Sequence, residues 1–439
     1  MKKLLSLVLS LALVCGALVG LTACGDSGNS TGSGDGETKM KVGLICLHNS
    51  DSTYDKNFID AFNYACNKMG VEAIIKTDVP EDEKCSAAAE DFVDQGCNII
   101  FSDSYGHQGF MKGVAAENPD VVFCSATGDT AHTDGLPNFY NAFASIYEGR
   151  FLAGIAAGEK LKEMLAENKL TDKNYNEAGK VLIGYVGAYT YAEVKSGYTS
   201  YYLGVKHSLS KFNETYTEDK KLDVEMLVQF TGSWCDENLE KEAANTLIGK
   251  GCAVLSQHAD SMGAPSACET AGVPDISYNG STVEACPNTF IVSSRINWAP
   301  YYEYVIDCVK NGKTIQQDWV GQLGTDYEED LTNLDNTGSV CLTALGGKAA
   351  ATTKAAIDEA FAALKAGTLK VFDLSKFTVN GEPLSKDHMA DVNADKDFAL
   401  DTKVVKEANG ITYFAESEFR AAPYFNVDID GIVLLNTKF

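Results

Sequence analysis

The sequence predicts an α/β protein of two lobes, each a parallel sheet flanked by helices. Short apolar runs of strand length alternate with stretches of helical period, the pattern of βαβ units. The alternation comes in two sets, separated by a long helical stretch at 145–168 and a polar loop at 169–180. The chain beyond its N-terminal apolar segment, about 400 residues, exceeds one usual domain and suits two.

In chain order, Lys2 and Lys3 precede an apolar run at 4–20 that ends in Leu21-Thr22-Ala23-Cys24. A short run with no charge cluster after it reads as a secretory signal rather than a spanning helix. Its ending resembles the lipobox of bacterial lipoproteins. That resemblance implies a signal peptide at 1–23 and an acylated Cys24 as the first mature residue, anchored at the extracytoplasmic face of the cell membrane. Two or more acyl chains give stable anchoring where one gives marginal binding. Residues 24–39, mostly Gly, Ser, Asp and Thr, have nothing apolar to bury and read as a flexible tether.

The first lobe is expected at 40–144 and 281–320. It opens with a strand at 41–46, apolar enough to be buried on both faces. A polar loop follows, then a helix on the period of Phe58, Ile59, Phe62 and Ala65, closed by Gly70. Strands at 71–76, 98–101 and 121–124 alternate with helices at 83–94 and 109–118. The second lobe, 145–280, has strands at 181–186, 224–230, 253–256 and 275–278 with helices at 192–210, 237–248 and 261–271. A strand at 290–293 and a helix at 301–309 return the chain to the first lobe. Within 321–439, return segments and a C-terminal extension, only an Ala-rich helix at 348–365 and a strand at 368–372 are legible.

The formal charge of −25 excludes a nucleic-acid partner, because phosphate backbones are held by Lys and Arg patches. Of 13 cysteines, 11 lie in the body, mostly between apolar neighbours and never as C-x-x-C, so they read as small buried hydrophobes. No G-x-S-x-G elbow, P-loop, H-E-x-x-H or dinucleotide fingerprint occurs in a credible context, and no cofactor, metal or catalytic residue is expected.

Several segments together resemble the basic membrane protein family of ABC-transporter substrate-binding lipoproteins, whose characterised members include purine-nucleoside receptors. They are Tyr54-Asp55-Lys56-Asn57-Phe58, Phe123-Cys124-Ser125-Ala126-Thr127-Gly128, Tyr147-Glu148-Gly149-Arg150-Phe151-Leu152, Ile183-Gly184-Tyr185-Val186-Gly187, Gln257-His258-Ala259-Asp260-Ser261 and Trp298-Ala299-Pro300-Tyr301-Tyr302. Asn57 stands where the family usually has serine, and the tail beyond Phe377 is longer than in the compact receptors. The resemblance implies a type I periplasmic-binding-protein fold that closes by a hinge on a small nucleoside-like solute and offers it to an ABC permease.

Open α/β sheets bind ligands beyond the carboxyl ends of their strands, which selects the candidates. Asn49, Ser50 and Asp51 follow the first strand and suit ribose hydroxyls; Asp103 and Tyr105 follow the third. Phe58 matches the family's stacking phenylalanine. Tyr189, Trp234 and Trp298 follow strands where a ring can close a pocket. His258 and Asp260 read as cleft hydrogen-bonding groups, since no third metal ligand has suitable spacing. Asn279 stands near the family's usual ribose aspartate, and Arg150 reads as structural, paired locally with Glu148. Two alternatives share the scaffold: an enzyme, or a ligand sensor without transport.

Overall fold

Strand β1 (Lys41–Ile45) is apolar from Val42 onward because both of its faces are covered. The structure, a computed structural model, describes residues 39–215, 221–395 and 397–438. The signal peptide, Cys24 and all of the tether before residue 39 lie outside them. After β1 come α1 (Thr53–Met69), β2 (Glu72–Lys76), α2 (Glu83–Asp94), β3 (Ile99–Ser102), α3 (His107–Glu117), β4 (Val122–Ala126), α4 (Ala131–Asp134) and β5 (Phe139–Ala144). The Ser52 hydroxyl caps α1 by accepting from the Asp55 N–H, and Gly70, in a left-handed conformation, ends it.

The second set runs α5 (Ile146–Ala166), β6 (Val181–Gly187), α6 (Ala192–Asn213), β7 (Val224–Phe230), α7 (Glu237–Gly249), β8 (Leu255–Gln257), α8 (Gly263–Ala271), β9 (Asp275–Tyr278) and β10 (Phe290–Ile296). Then follow α9 (Ala299–Lys310), β11 (Asp318–Gly321), β12 (Leu323–Glu328), β13 (Val340–Leu342) and α10 (Thr353–Lys365). The tail holds β14 (Met389–Ala390), β15 (Thr402–Lys403), β16 (Val405–Ala408), β17 (Ile411–Phe414) and β18 (Ile432–Leu434).

The strands form a parallel six-stranded sheet, β11-β5-β4-β3-β1-β2, and an eight-stranded sheet, β12-β13-β10-β9-β8-β6-β7-β18, parallel except between β10 and β13. The chain passes between the sheets after β5, β10 and β11. The expected first-lobe block 281–320 is thereby divided. Its strand, β10, pairs with β9 and β13 in the second sheet, and only β11 joins the first. The strand expected at 368–372 is also absent, the segment being irregular. Phe372 is apolar because it stacks on Phe425 and packs on Tyr147, not because it sits in a ladder.

Helix α5 is buried on nearly every side, and its small residues let α6 lie against it. A Cβ on Gly204 would stand 2.0 Å from the Phe151 carbonyl oxygen, and one on Gly154 2.1 Å from that of Tyr201. The body cysteines are free thiols, buried except for half-buried Cys235. Burial pushes several of them, Cys66 and Cys85 among them, up to about 12. No helix among the described residues is long and apolar enough to cross a membrane.

Burial also lifts Glu148, Glu240, Asp275 and Glu416 each to about 7. In the folded chain these carboxyls keep protons that the unfolded chain releases near pH 4, so stability falls as pH rises from about 4 to about 7. His48, raised by its hydrogen bond to Asp55, adds stability that is likewise lost on the alkaline side. Carboxylates held low, such as Asp223, act in the opposite sense only below about pH 4. The buried histidines His107, His207 and His258, lowered by burial, oppose the trend up to about pH 6.5 but are outnumbered by the raised carboxyls. The melting temperature is therefore expected to be higher at pH 5 than at pH 8. Calorimetry at the two pH values checks this, and a higher value at pH 8 would contradict it.

Candidate functional site

The carboxyl ends of both sheets face one cavity of about 340 Å³, within the range of small-ligand sites. From the first sheet, Leu47 and His48 follow β1, Ser104 and Tyr105 follow β3, and Thr127 and Asp129 follow β4. Tyr54 enters from the first turn of α1. From the second sheet come Tyr191 and Glu193 after β6, Trp234 after β7, His258 and Asp260 after β8, and Tyr278 at the end of β9. Phe143 of β5, Ala192 at the start of α6, and Arg420, Ala422 and Pro423 of the C-terminal extension complete the lining. In the first sheet β1 lies between β2 and β3, and in the second β6 lies between β7 and β8. In each sheet the connections run off in opposite directions at that point, which opens a crevice.

Rings dominate the walls. Tyr105, from one sheet, faces Tyr191, from the other, with centroids 6.1 Å apart. Tyr191 stacks on Tyr189 at 5.3 Å and leans on Trp234 at 5.8 Å. Beneath Tyr278 lies the buried Arg150 guanidinium, 3.3 Å from the ring centroid, with Nη1 donating to the Gln257 carbonyl at 2.7 Å. The expected local pairing with Glu148 is not made: the partners of Arg150 are this ring and carbonyl, while Glu148 accepts from Ser145.

The polar groups are held in fixed directions. His258 Nε2 sits 2.6 Å from Glu193, and Nδ1 lies 3.3 Å from the Tyr185 hydroxyl. Burial outweighs the Glu193 charge and lowers the His258 pKa, so the ring is neutral, with Nε2 donating and Nδ1 accepting. Asp260 is raised well above the usual carboxylate range by burial and then by Glu240, Asp55 and Glu193; its Oδ1 accepts from Asn279 at 2.9 Å. Asp129 accepts from Gln108 at 3.0 Å and from the Tyr105 hydroxyl at 3.3 Å. The start of α1 meets the loop after β8 directly beside the cavity, where the Thr53 N–H and hydroxyl both donate to the Asp260 carbonyl, at 3.3 and 3.1 Å.

The family model described as ABC transporter substrate-binding protein PnrA-like matches residues 47–337. The chain belongs to that family. It is 26% identical over 274 residues to a purine-binding protein of Brucella abortus (strain 2308), covering 62% of this chain and 69% of that one. Over 223 residues it is 29% identical to a "Putative ABC transporter glucose-binding protein" of Haloferax volcanii, covering 51% of this chain and about half (49%) of that relative. A solved ABC transporter solute-binding protein from Aeropyrum pernix K1 superposes with a TM-score of 0.59 at 17% identity, covering 76% of this chain and 93% of that one. That likeness concerns the fold, which is the type I periplasmic-binding-protein fold.

In this substrate-binding protein, Tyr105, Trp234, His258 and Asp260 line the cavity. The other candidates stand outside it. Asn49 reaches away to Asp78, and its Oδ1 accepts from the Asp51 N–H in a tight turn; Ser50 and Asp51 are exposed. Phe58 and Trp298 are fully buried and stack on each other at 4.4 Å, because the α1 face that carries Phe58 packs against α9. Tyr189 backs Tyr191 and Trp234, and Asn279, at φ 64°, reaches the site only through Asp260.

Asp103 lies behind the wall, where Oδ1 accepts from the Leu47 N–H at 3.0 Å and its carbonyl accepts from the Tyr54 hydroxyl at 2.5 Å. Burial and the neighbouring Asp55 charge raise Asp103 well above the carboxylate range. Asp55 is held low despite burial by hydrogen bonds from His48 and Ser52. With Cys46 these two carboxyl groups are the one cluster of three potential metal ligands among the described residues. Asp55 and Asp103 each accept from a backbone N–H of the loop after β1, those of His48 and Leu47, and so fix that loop.

Sequence reasoning missed His48, Tyr54, Thr127, Asp129, Tyr191, Glu193, Tyr278 and Arg420 as lining residues. Tyr191 and Glu193 sat beside Tyr189, so counting on through the loop to the helix start would have found them. Arg420 carries no local signal at all.

Proposed function

We propose that this protein is a lipid-anchored receptor that captures a purine nucleoside in the cleft between its sheets and presents it to the permease of an ABC importer. The observation that supports this most is the cavity itself, in which Tyr105, Tyr191 and Trp234 offer ring faces while Asp129, Glu193, His258 and Asp260 offer fixed polar atoms. A base needs such faces for stacking, and its edges and ribose hydroxyls need such partners. The purine-binding relative points to the same ligand class. Anchoring through Cys24 belongs to the same proposal.

Purine nucleosides are expected to raise the melting temperature of the chain purified without residues 1–24, since a ligand that binds only the folded state stabilises it by mass action. Native mass spectrometry should show the matching added mass. A shift from glucose alone would keep the receptor and discard the nucleoside. Turnover of a bound nucleoside would instead point to an enzyme.

A further inference from the structure

The family match ends at residue 337, yet one wall of the cavity comes from beyond it. Residues 416–428 run between the two sheets' elements. The Ala421 N–H donates to Asp318 of β11 at 2.9 Å, while Glu416 bonds Ser196 and Asp428 pairs with Lys195, both on α6. This segment carries Arg420, which is only 7% exposed and lies against the cavity.

Three backbone carbonyls hold the guanidinium. Nε donates to Ala422, Nη1 to Val392 and Nη2 to Pro423, each at 3.0 Å. A guanidinium has five N–H groups in a planar fork, so these bonds leave one on each terminal nitrogen. Nη1 is 3.7 Å from Asp129 Oδ2, an ion-pair separation too long for a hydrogen bond. The wall therefore carries two guanidinium N–H groups not used by the loop, with the Asp129 carboxylate beside them.

We propose that Arg420 is a specificity-determining residue that makes the site prefer 6-oxopurine nucleosides over 6-aminopurine ones; this rests on the nucleoside reading above. A 6-oxopurine shows two adjacent acceptors, O6 and N7, which match the arginine fork; a 6-aminopurine sets an N–H donor against it. Asp129 adds an acceptor for the N1–H that only the 6-oxo base carries. Glutamine, which offers one donor and one acceptor, suits the 6-amino edge instead.

The test is calorimetric titration of the full-length chain in detergent with inosine and adenosine, for wild type and Arg420→Gln. Wild type is expected to bind inosine at least about tenfold more tightly, and Arg420→Gln to level or reverse that ratio. If Arg420→Gln does not fold, Arg420→Lys is read the same way, because a single ammonium lacks the fork and the ratio should fall. Equal affinities in wild type, or a variant that weakens both ligands with the ratio unchanged, would overturn the proposal and leave Arg420 a loop-holding residue. Wild type that binds neither nucleoside would overturn the nucleoside reading, and this proposal with it.

Discussion

Gly204→Val is expected to abolish cooperative folding, and Gly204→Ala to cost about 4 kcal/mol or more, the range reached only by severe steric or polar conflicts. The atom a new Cβ meets is the Phe151 carbonyl oxygen at 2.0 Å, with the Gly154 Cα at 3.1 Å behind it. These are backbone atoms of the facing helix, so no side chain can rotate aside. Relief requires α5 and α6 to separate along their buried contact, which also carries Phe151, Tyr201 and Val205. Gly113 supplies the control: it lies on the exposed face of α3, where a Cβ meets nothing within 4 Å. Gly113→Ala should stabilise by about 0.5–1 kcal/mol through helix propensity. Urea unfolding followed by circular dichroism measures both. A Gly204→Ala midpoint equal to wild type would mean that the two helices do not cross this closely.

Trp234→Ala and Trp298→Ala are expected to separate binding from folding. Trp234 is half-buried at the cavity wall, so its loss should weaken the bound nucleoside about 10- to 100-fold, the worth of one stacking face. Its unliganded melting temperature should change little. Trp298 is 1% exposed and stacked on Phe58 away from the cavity, so Trp298→Ala should instead cost about 3–5 kcal/mol of stability. Affinity among the molecules that remain folded should be close to wild type. Titration calorimetry and thermal melts on both proteins give the comparison. Loss of affinity in Trp298→Ala with an unchanged melting temperature would reverse these assignments.

The contrast between the two tryptophans shows how far the sequence reached. Both follow a strand and both are large rings, so the chain order alone places them equally near a pocket. Only the packing of α1 on α9 puts Trp298 under Phe58 and leaves Trp234 facing the cleft. The same holds for Asp103 and Asp260. Each follows a strand end, but the Leu47 N–H draws Asp103 behind the wall.

The sequence by itself determined the α/β alternation, the two sheets and the strand ends from which the site is built. Those features follow from periodicity and chain order, which are local. It also determined the family, through motifs that stay contiguous in the chain. Tertiary structure alone decided that β10 belongs to the second sheet, that one face of α1 is core rather than cleft, and that the tail returns Arg420 to the cavity. The reason is physical. Arg420 meets Asp129 across almost three hundred positions of chain, and strand β18 pairs with β7 across about two hundred. Contacts at such separations are set by which surfaces are left to bury once the sheets have formed, and no local pattern encodes that.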